Sequence, residues 1–282
     1  MTDKAQHKTT DEQNKSCAPC SRPSDCYTSD LNILVIDAIN FIKQHEPVEG
    51  YFVGFSGGKD SIVTLDLVRR SGVGYKAYYN MTFIDPPEVV KFIKAEYPEV
   101  VRLKPDMTFW QGCLKNQMPL QRQRWCCTVL KHGTKSLKAV NLNNRILGLR
   151  AEESSRRAKR GMIEKREDYT NYKPIFKWSS ADIWEYIKHD GLKYPSLYDE
   201  GFKRLGCVVC CMDKNKASNK MKRDRWPGMY RLVDLYLGKL WERDKDILIT
   251  KYHFTKEQFM EWPMWKSKEE RKQQRLFDGG DV

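Results

Sequence analysis

Tyr51-Phe-Val-Gly-Phe-Ser-Gly-Gly-Lys-Asp-Ser61 is the stretch whose reading decides the fold. It opens with Tyr51–Phe55, a short apolar run of the kind that forms a buried strand. Ile62–Val68 carries on as a helix, so the polar residues between them make a strand–loop–helix turn. Gly57 and Gly58 let the backbone approach an anion and enter conformations closed to other residues. The helix start that follows offers free N–H groups and the positive end of a dipole. Ser56 and Ser61 add hydroxyl donors and Lys59 a point charge, with Asp60 flanking it. The spacing is not that of the longer GxxxxGK[ST] phosphate loop. The bland alternative, a Gly-Gly turn with a lysine beside it, is disfavoured by the strand before and the helix after.

Working outward, Leu31, Leu34, Val35, Ala38, Ile39 and Ile42 recur at three and four, which predicts an amphipathic helix over Leu31–His45. Tyr75–Tyr79 reads as the next strand. Pro86 and Pro87 open a helix running to Tyr97, since proline suits a first helical turn. Val100–Leu103 is a strand, Cys127–Val140 a helix and Arg145–Leu149 another strand. This alternation predicts an α/β fold, a doubly wound parallel sheet covered on both faces. After residue 200 the pattern turns helical, with Trp226–Trp241 and a shorter Thr255–Glu261. The expected organisation is a polar, flexible tail over 1–29, one domain over 30–212, and a basic helical region over 213–282.

Composition narrows the class. The chain has 282 residues, 40% apolar and 12% aromatic with eight Trp, which excludes a wholly disordered chain. No apolar run reaches the roughly 18–20 residues of a spanning helix, so no membrane partner is expected. Met1–Lys15 lacks an apolar segment, and the expectation is a cytoplasmic protein. Lys and Arg outnumber Asp and Glu by 13, clustering at Arg156–Arg166, Lys214–Arg225 and the C-terminus. That surplus fits a polyanionic partner such as nucleic acid, or anionic nucleotides; the alternative is a solvated basic surface. The nine cysteines are odd in number, and in an intracellular context clustered thiols suggest a metal or catalytic site rather than disulfides. Cys17-Ala-Pro-Cys20 is a lone CxxC and weak evidence for zinc.

Ser56-Gly-Gly-Lys-Asp-Ser61 resembles the PP-loop of the ATP pyrophosphatase superfamily. That resemblance implies an adenine nucleotide α-hydrolase-like sheet with the site at the strand C-termini. It implies ATP or a related adenine nucleotide, with Mg2+, held by Ser56, Gly57, Gly58, Lys59, Asp60 and Ser61. The implied chemistry is attack on the α-phosphate, releasing pyrophosphate and leaving an adenylylated substrate, with Lys59 and Asp60 among the catalytic groups. Gly148-Leu-Arg-Ala-Glu-Glu-Ser154, followed by Arg156 and Arg157, is similar to the GxRxxES signature of the phosphoadenosine phosphosulfate (PAPS) reductase family. Pro174-Ile-Phe-Lys-Trp178 with Asp182-Ile-Trp184, and Tyr194-Pro-Ser-Leu-Tyr198 with Gly201-Phe202 and Gly206-Cys207, are similar to further motifs of that family. Arg150 suits a bidentate contact to phosphate or sulfate and joins the catalytic candidates. Glu153 is expected to orient that arginine or another basic group, with a structural ion pair as the alternative. Arg157 and Asp85 complete the nucleotide-binding candidates, although Asp85 is followed by Pro-Pro where the family often has Thr-Gly.

Cys126-Cys127 and Cys207-Val-Val-Cys210 are similar to the CC…CxxC arrangement that holds a [4Fe–4S] cluster in the iron–sulfur branch of sulfonucleotide reductases. Structural zinc and unligated thiols are the alternatives. Cys211 is a spare thiol, and Cys113 reads as an ordinary buried cysteine. Assimilatory reductases of the family carry a nucleophilic cysteine in a C-terminal tail, whereas no cysteine follows Cys211 here. The combination resembles DNA phosphorothioation enzymes of the DndC and SspD type and phage-borne PAPS-reductase-like proteins. The reading it supports is an ATP-dependent sulfur-transfer enzyme with nucleic acid as acceptor and a cysteine desulfurase or other sulfur donor as partner. The alternatives are a sulfonucleotide reductase with a displaced nucleophile and a nucleotide-binding regulatory protein.

Overall fold

A computed structural model of the chain describes residues 29–132, 143–213 and 215–260. Residues 1–28 of the expected tail, with Cys17, Cys20 and Cys26 among them, Lys214 and the C-terminal residues after 260 lie outside these.

The described residues begin with helix α1 (Ser29–Gln44), then alternate β1 (Tyr51–Gly54), α2 (Lys59–Ser71), β2 (Tyr75–Asn80), α3 (Pro87–Glu96) and β3 (Val101–Leu103). Helix α4 (Phe109–Asn116) and a short α5 (Trp125–Cys127), continued by a π-helical turn over Thr128–His132, lead on to β4 (Asn144–Leu147). Next come α6 (Ser155–Ala158), β5 (Ile163–Lys165), β6 (Thr170–Tyr172), α7 (Ser180–His189), α8 (Lys216–Arg225), α9 (Pro227–Thr250) and α10 (Lys256–Met260). The sheet has six strands in the order β3-β2-β1-β4-β6-β5. All neighbours are parallel except β5 and β6, a departure from the all-parallel expectation that a tight connection between adjacent strands requires.

Strand order reverses at β1. The chain steps outward from β1 to β2 and β3, then returns to lay β4 along the other side of β1. Such a switch point leaves a crevice beyond the strand C-termini. Both Phe55–Ser61 and Gly148–Glu153 leave the sheet there. Alternation along β1 sends Tyr51, Val53 and Phe55 into the main core with α1, α2 and α7. Fully buried Val53, Ile62 and Ile146 each contribute on the order of 2 kcal/mol there. Phe52 faces the opposite side, stacked on Tyr78 at 4.7 Å and 5° and packed with Leu103. Arg145 from β4 shares that side, its guanidinium 3.8 Å over the Tyr169 ring.

Several boundaries differ from the sequence reading for local reasons. Helix α4 was hidden because it is only eight residues long; a Thr108–Gln111 capping box starts it, and Phe109 and Cys113 bury it. The predicted Cys127–Val140 helix is α5 plus the π-helical turn as far as His132, and its remainder falls outside the described residues. Helix α9 runs to Thr250, past the predicted Trp241, since nothing in Glu242–Thr250 breaks it. No described helix is long and apolar enough to cross a membrane.

Candidate active site

Helix α2 starts without a side-chain cap, because its N-cap is Gly58. A helix start whose N-cap lacks a capping side chain leaves its positive end open to an outside partner, although the Lys59 amide is met by the Tyr198 hydroxyl at 2.9 Å and the Ser61 amide by the Gly58 carbonyl at 2.9 Å. Only one of the two loop glycines needs its special freedom. Gly57 has φ +70°, and a Cβ there would come within 2.9 Å of Ile93, whereas Gly58 is extended at φ −83°. The loop is braced from within. Ser61 Oγ donates to the Gly58 carbonyl at 2.8 Å and accepts from the Ser56 amide at 3.2 Å.

Behind the loop, Asp60 joins the two candidate cations. Its Oδ2 lies 3.0 Å from Lys59 Nζ and its Oδ1 2.5 Å from Arg150 Nε. Gly148 makes this possible: a Cβ there would stand 2.8 Å from the Asp60 carbonyl oxygen, so only glycine lets the β4 exit approach α2 so closely. Arg150 is 4% exposed and also pairs with Glu152 at 2.5 Å. Glu152 in turn accepts from the Ser180 amide at 2.7 Å, at the start of α7. Of the two kinds of partner expected for Glu153, the Arg150 guanidinium or another basic group, the structure has the second. Glu153 accepts from the Arg150 backbone amide at 3.4 Å and pairs with Arg157 and, at 3.1 Å, with Arg204. The two acidic residues thus divide the work, and Arg150 is oriented by Asp60 and Glu152.

Asp85, after β2, accepts from the Tyr79 hydroxyl at 2.6 Å and from the Thr82 amide at 2.9 Å. Its other oxygen is 3.9 Å from Cys207 Sγ. The Val208 amide donates to the Ile84 carbonyl at 2.8 Å, which docks the Cys207 segment on the β2–α3 loop. Asp85 therefore borders the Cys207 thiol.

The thiols meet despite their distance in sequence. Cys126 has Cys127, Cys211 and Cys207 near enough to shift its titration, and Cys207 has Cys210. Cys127 beside it lowers the Cys126 pKa, but Cys211 and burial outweigh that and push the thiol up to about 12. Burial lifts Cys207 to about 11, with Lys131 opposing, and Cys113 to about 12. Cys127 is raised by Cys126 beside it and by burial. Among the described residues, no three His, Cys, Asp or Glu side chains stand where they could hold a single metal ion. The soft, all-thiol donor set is of the type that suits an iron–sulfur cluster.

Two residues escaped the sequence reading. Lys131 faces this group: Cys207, then Asp85, Cys127 and Cys210, raise its pKa against the opposing effect of burial. The available signal was its position one helical turn after Cys127. Tyr198 is the second, its hydroxyl accepting from the Lys59 amide at 2.9 Å. Its motif was legible, but no local pattern reports a contact across 139 residues.

Residues 50–213 match the phosphoadenosine phosphosulfate reductase domain, more than half of the chain. The chain belongs to the PAPS reductase family. An uncharacterized protein of Methanocaldococcus jannaschii is 30% identical over 83% of this PAPS reductase-family chain. The chain spans 50% of that relative's length. The adenosine 5'-phosphosulfate reductase of Oceanobacillus iheyensis is 28% identical over 61% of the chain and 75% of its own length. Among solved structures, the PAPS reductase of Candida auris covers 64% of this chain and 96% of its own, at 16% identity and a TM-score of 0.49.

Proposed function

We propose that this PAPS reductase-family chain binds ATP with Mg2+ at Ser56–Ser61 and adenylylates an acceptor in a sulfur-transfer reaction. The observation that carries this reading is the uncapped start of α2 at the switch point, with Lys59, Asp60 and Arg150 joined directly behind it. The loop amides and Lys59 bind the phosphate chain, and Asp60 and Glu152 fix Arg150. An acceptor oxygen or sulfur attacks the α-phosphorus, the bond to the bridging oxygen breaks, and pyrophosphate leaves with the charge that Lys59 and Arg150 offset. Glu153 holds Arg157 and Arg204 at the rim.

In the same reading, Cys126, Cys127, Cys207 and Cys210 hold a [4Fe–4S] cluster, with Cys211 beside Cys126. A bound cluster supplies a site for sulfur or electron transfer. The 3.9 Å approach of Cys207 to Asp85, which follows β2, supports a cluster beyond the C-terminal end of that strand. Nucleic acid is the proposed acceptor, supported by the charge surplus of 13. Helix α8 adds little to that case, since Lys220, Lys222 and Arg225 pair with Asp224, Asp213 and Glu88/Glu200. Exposed Arg156 and Lys159, next to Arg157, are better placed. The cysteine desulfurase remains the proposed sulfur donor. Anaerobic purification, with iron and acid-labile sulfide analysis and pyrophosphate release from ATP measured on the same sample, tests the whole reading. About four irons per chain with pyrophosphate release supports it. Iron-free protein containing one zinc refutes the cluster.

A second reading, reduction of a sulfonucleotide, is favoured by the similarity to the Oceanobacillus reductase. It requires a nucleophilic thiol outside the cluster, and Cys211 is the described cysteine that could take that role.

A further inference from the structure

The residue that touches the phosphate loop from farthest away is Tyr198. It ends the 3-10 turn Ser196–Tyr198, and its hydroxyl accepts from the Lys59 amide at 2.9 Å. That amide opens α2, so the phenol oxygen stands at the helix start that would face an anion at the loop. The ring is fixed on its other edges. Trp184 meets it edge-on at 5.1 Å and 86°, and Tyr194 at 6.3 Å and 69°. The Tyr198 amide donates to the Pro195 carbonyl at 3.1 Å, closing the turn beneath it. The hydroxyl also lies against Gly58, where a Cβ would stand in ordinary contact at 3.4 Å from the phenol oxygen.

The phenol's own proton is unspent: among the described residues its hydroxyl has one hydrogen bond, in which it is the acceptor. Burial, with the nearby Asp60 adding to it, pushes the Tyr198 pKa up to about 12, so the proton stays in place at neutral pH. A hydroxyl that accepts from an amide becomes a better donor through the same oxygen. A part-buried donor with no acceptor, fixed over a phosphate loop, is poised for an anionic oxygen.

We propose that Tyr198 is a ligand of the nucleotide's phosphate chain, donating its hydroxyl proton to a non-bridging oxygen while the Lys59 amide holds it in place. This rests on the ATP reading above and adds to it a specific residue outside the loop. Because the bond goes to phosphate, it discriminates nucleotide from nucleoside.

The test is calorimetric titration of the full chain with ATP, pyrophosphate and adenosine, for the wild type, Lys59→Met and Tyr198→Phe. Phe keeps the ring contacts with Trp184 and Tyr194 and removes only the hydroxyl. The expected result is about tenfold weaker binding of ATP and pyrophosphate to Tyr198→Phe, with adenosine unchanged. Unchanged ATP affinity overturns the proposal. Tighter ATP binding also overturns it, because the hydroxyl would then be a plug that phosphate must displace. A wild type that fails to bind ATP, or a Lys59→Met variant that binds it normally, brings down the loop reading itself. Should Tyr198→Phe fail to fold, wild-type chain with 3-fluorotyrosine at position 198 supplies a second readout. Its fluorine resonance must shift with pyrophosphate and not with adenosine, and a resonance indifferent to pyrophosphate overturns the proposal.

Discussion

Asp60 Oδ1 lies 2.5 Å from Arg150 Nε, a contact between residues 90 apart in sequence that ties the phosphate loop to the strand on the far side of β1. The same carboxylate holds Lys59 at 3.0 Å. One acidic side chain thereby pairs with both cations behind the loop. Removing it leaves Arg150, 4% exposed, with Glu152 as its remaining carboxylate. Loss of one partner from a buried pair is costly because the other charge stays buried. Asp60→Asn is expected to lose about 3 kcal/mol of stability, read by urea denaturation, and to lose ATP turnover; a stability change under 0.5 kcal/mol would show that the pair contributes nothing.

The three loop and strand-exit glycines should respond unequally. Gly57→Ala meets both a positive φ of +70° and Ile93 at 2.9 Å. Gly148→Ala presses on the Asp60 carbonyl at 2.8 Å, while Gly58→Ala meets Tyr198 at a tolerable 3.4 Å. The first two should each cost about 2 kcal/mol in thermal or urea unfolding, and Gly58→Ala less than 1. Gly148→Ala should also weaken ATP binding, because it moves Arg150. An equal response at all three positions would contradict the geometry.

The thiols give a pH dependence with a definite sign. Burial and neighbouring groups hold Cys113 and Cys126 up to about 12 and Cys207 up to about 11, from an ordinary 9.0. The folded, empty protein therefore keeps these protons where the unfolded chain releases them. Its stability is fully present below pH 9 and falls as pH rises through that window. Ligation needs thiolates, so cluster assembly releases protons and should strengthen with rising pH. Iron and sulfide uptake measured between pH 6.5 and 8.5 should increase. Serine at Cys126, Cys127, Cys207 or Cys210 should abolish it, and serine at Cys113 should not.

Basic residues should divide into those that bind polyanions and those that hold the fold. Lys222 is 7% exposed and pairs with Asp213 at 2.6 Å, so Lys222→Met should destabilise by about 3 kcal/mol. Arg156→Gln with Lys159→Gln should leave stability intact and weaken DNA binding. The log–log salt slope should fall in magnitude by about 0.9 per lost contact. Salt-independent binding, or an effect of Lys222→Met on affinity alone, would argue against this division.

What the sequence made legible follows from range. The phosphate loop was readable because its strand, glycines and helix are contiguous over Tyr51–Val68. The Cys126–Cys127 and Cys207–Cys210 pairs were readable as motifs. The contacts between elements were not. Asp60 to Arg150, Tyr198 to Lys59 and Asp85 to Cys207 span 90, 139 and 122 residues, and no local periodicity encodes them. The division between Glu152 and Glu153 also escaped, because neighbouring residues on a 3-10 turn point apart and only the fold decides which faces Arg150. The antiparallel β5–β6 pair was missed since each strand is three residues long.

The central claim is α-phosphate chemistry at the loop, and pyrophosphate–ATP exchange measures it most directly. Anaerobically prepared, iron-loaded protein incubated with ATP, Mg2+, acceptor and labelled pyrophosphate should return label to ATP. Lys59→Met should lower that exchange by at least a hundredfold, about 2.7 kcal/mol. Formation of ADP and inorganic phosphate in place of exchange, or exchange that survives Lys59→Met unchanged, would contradict the account.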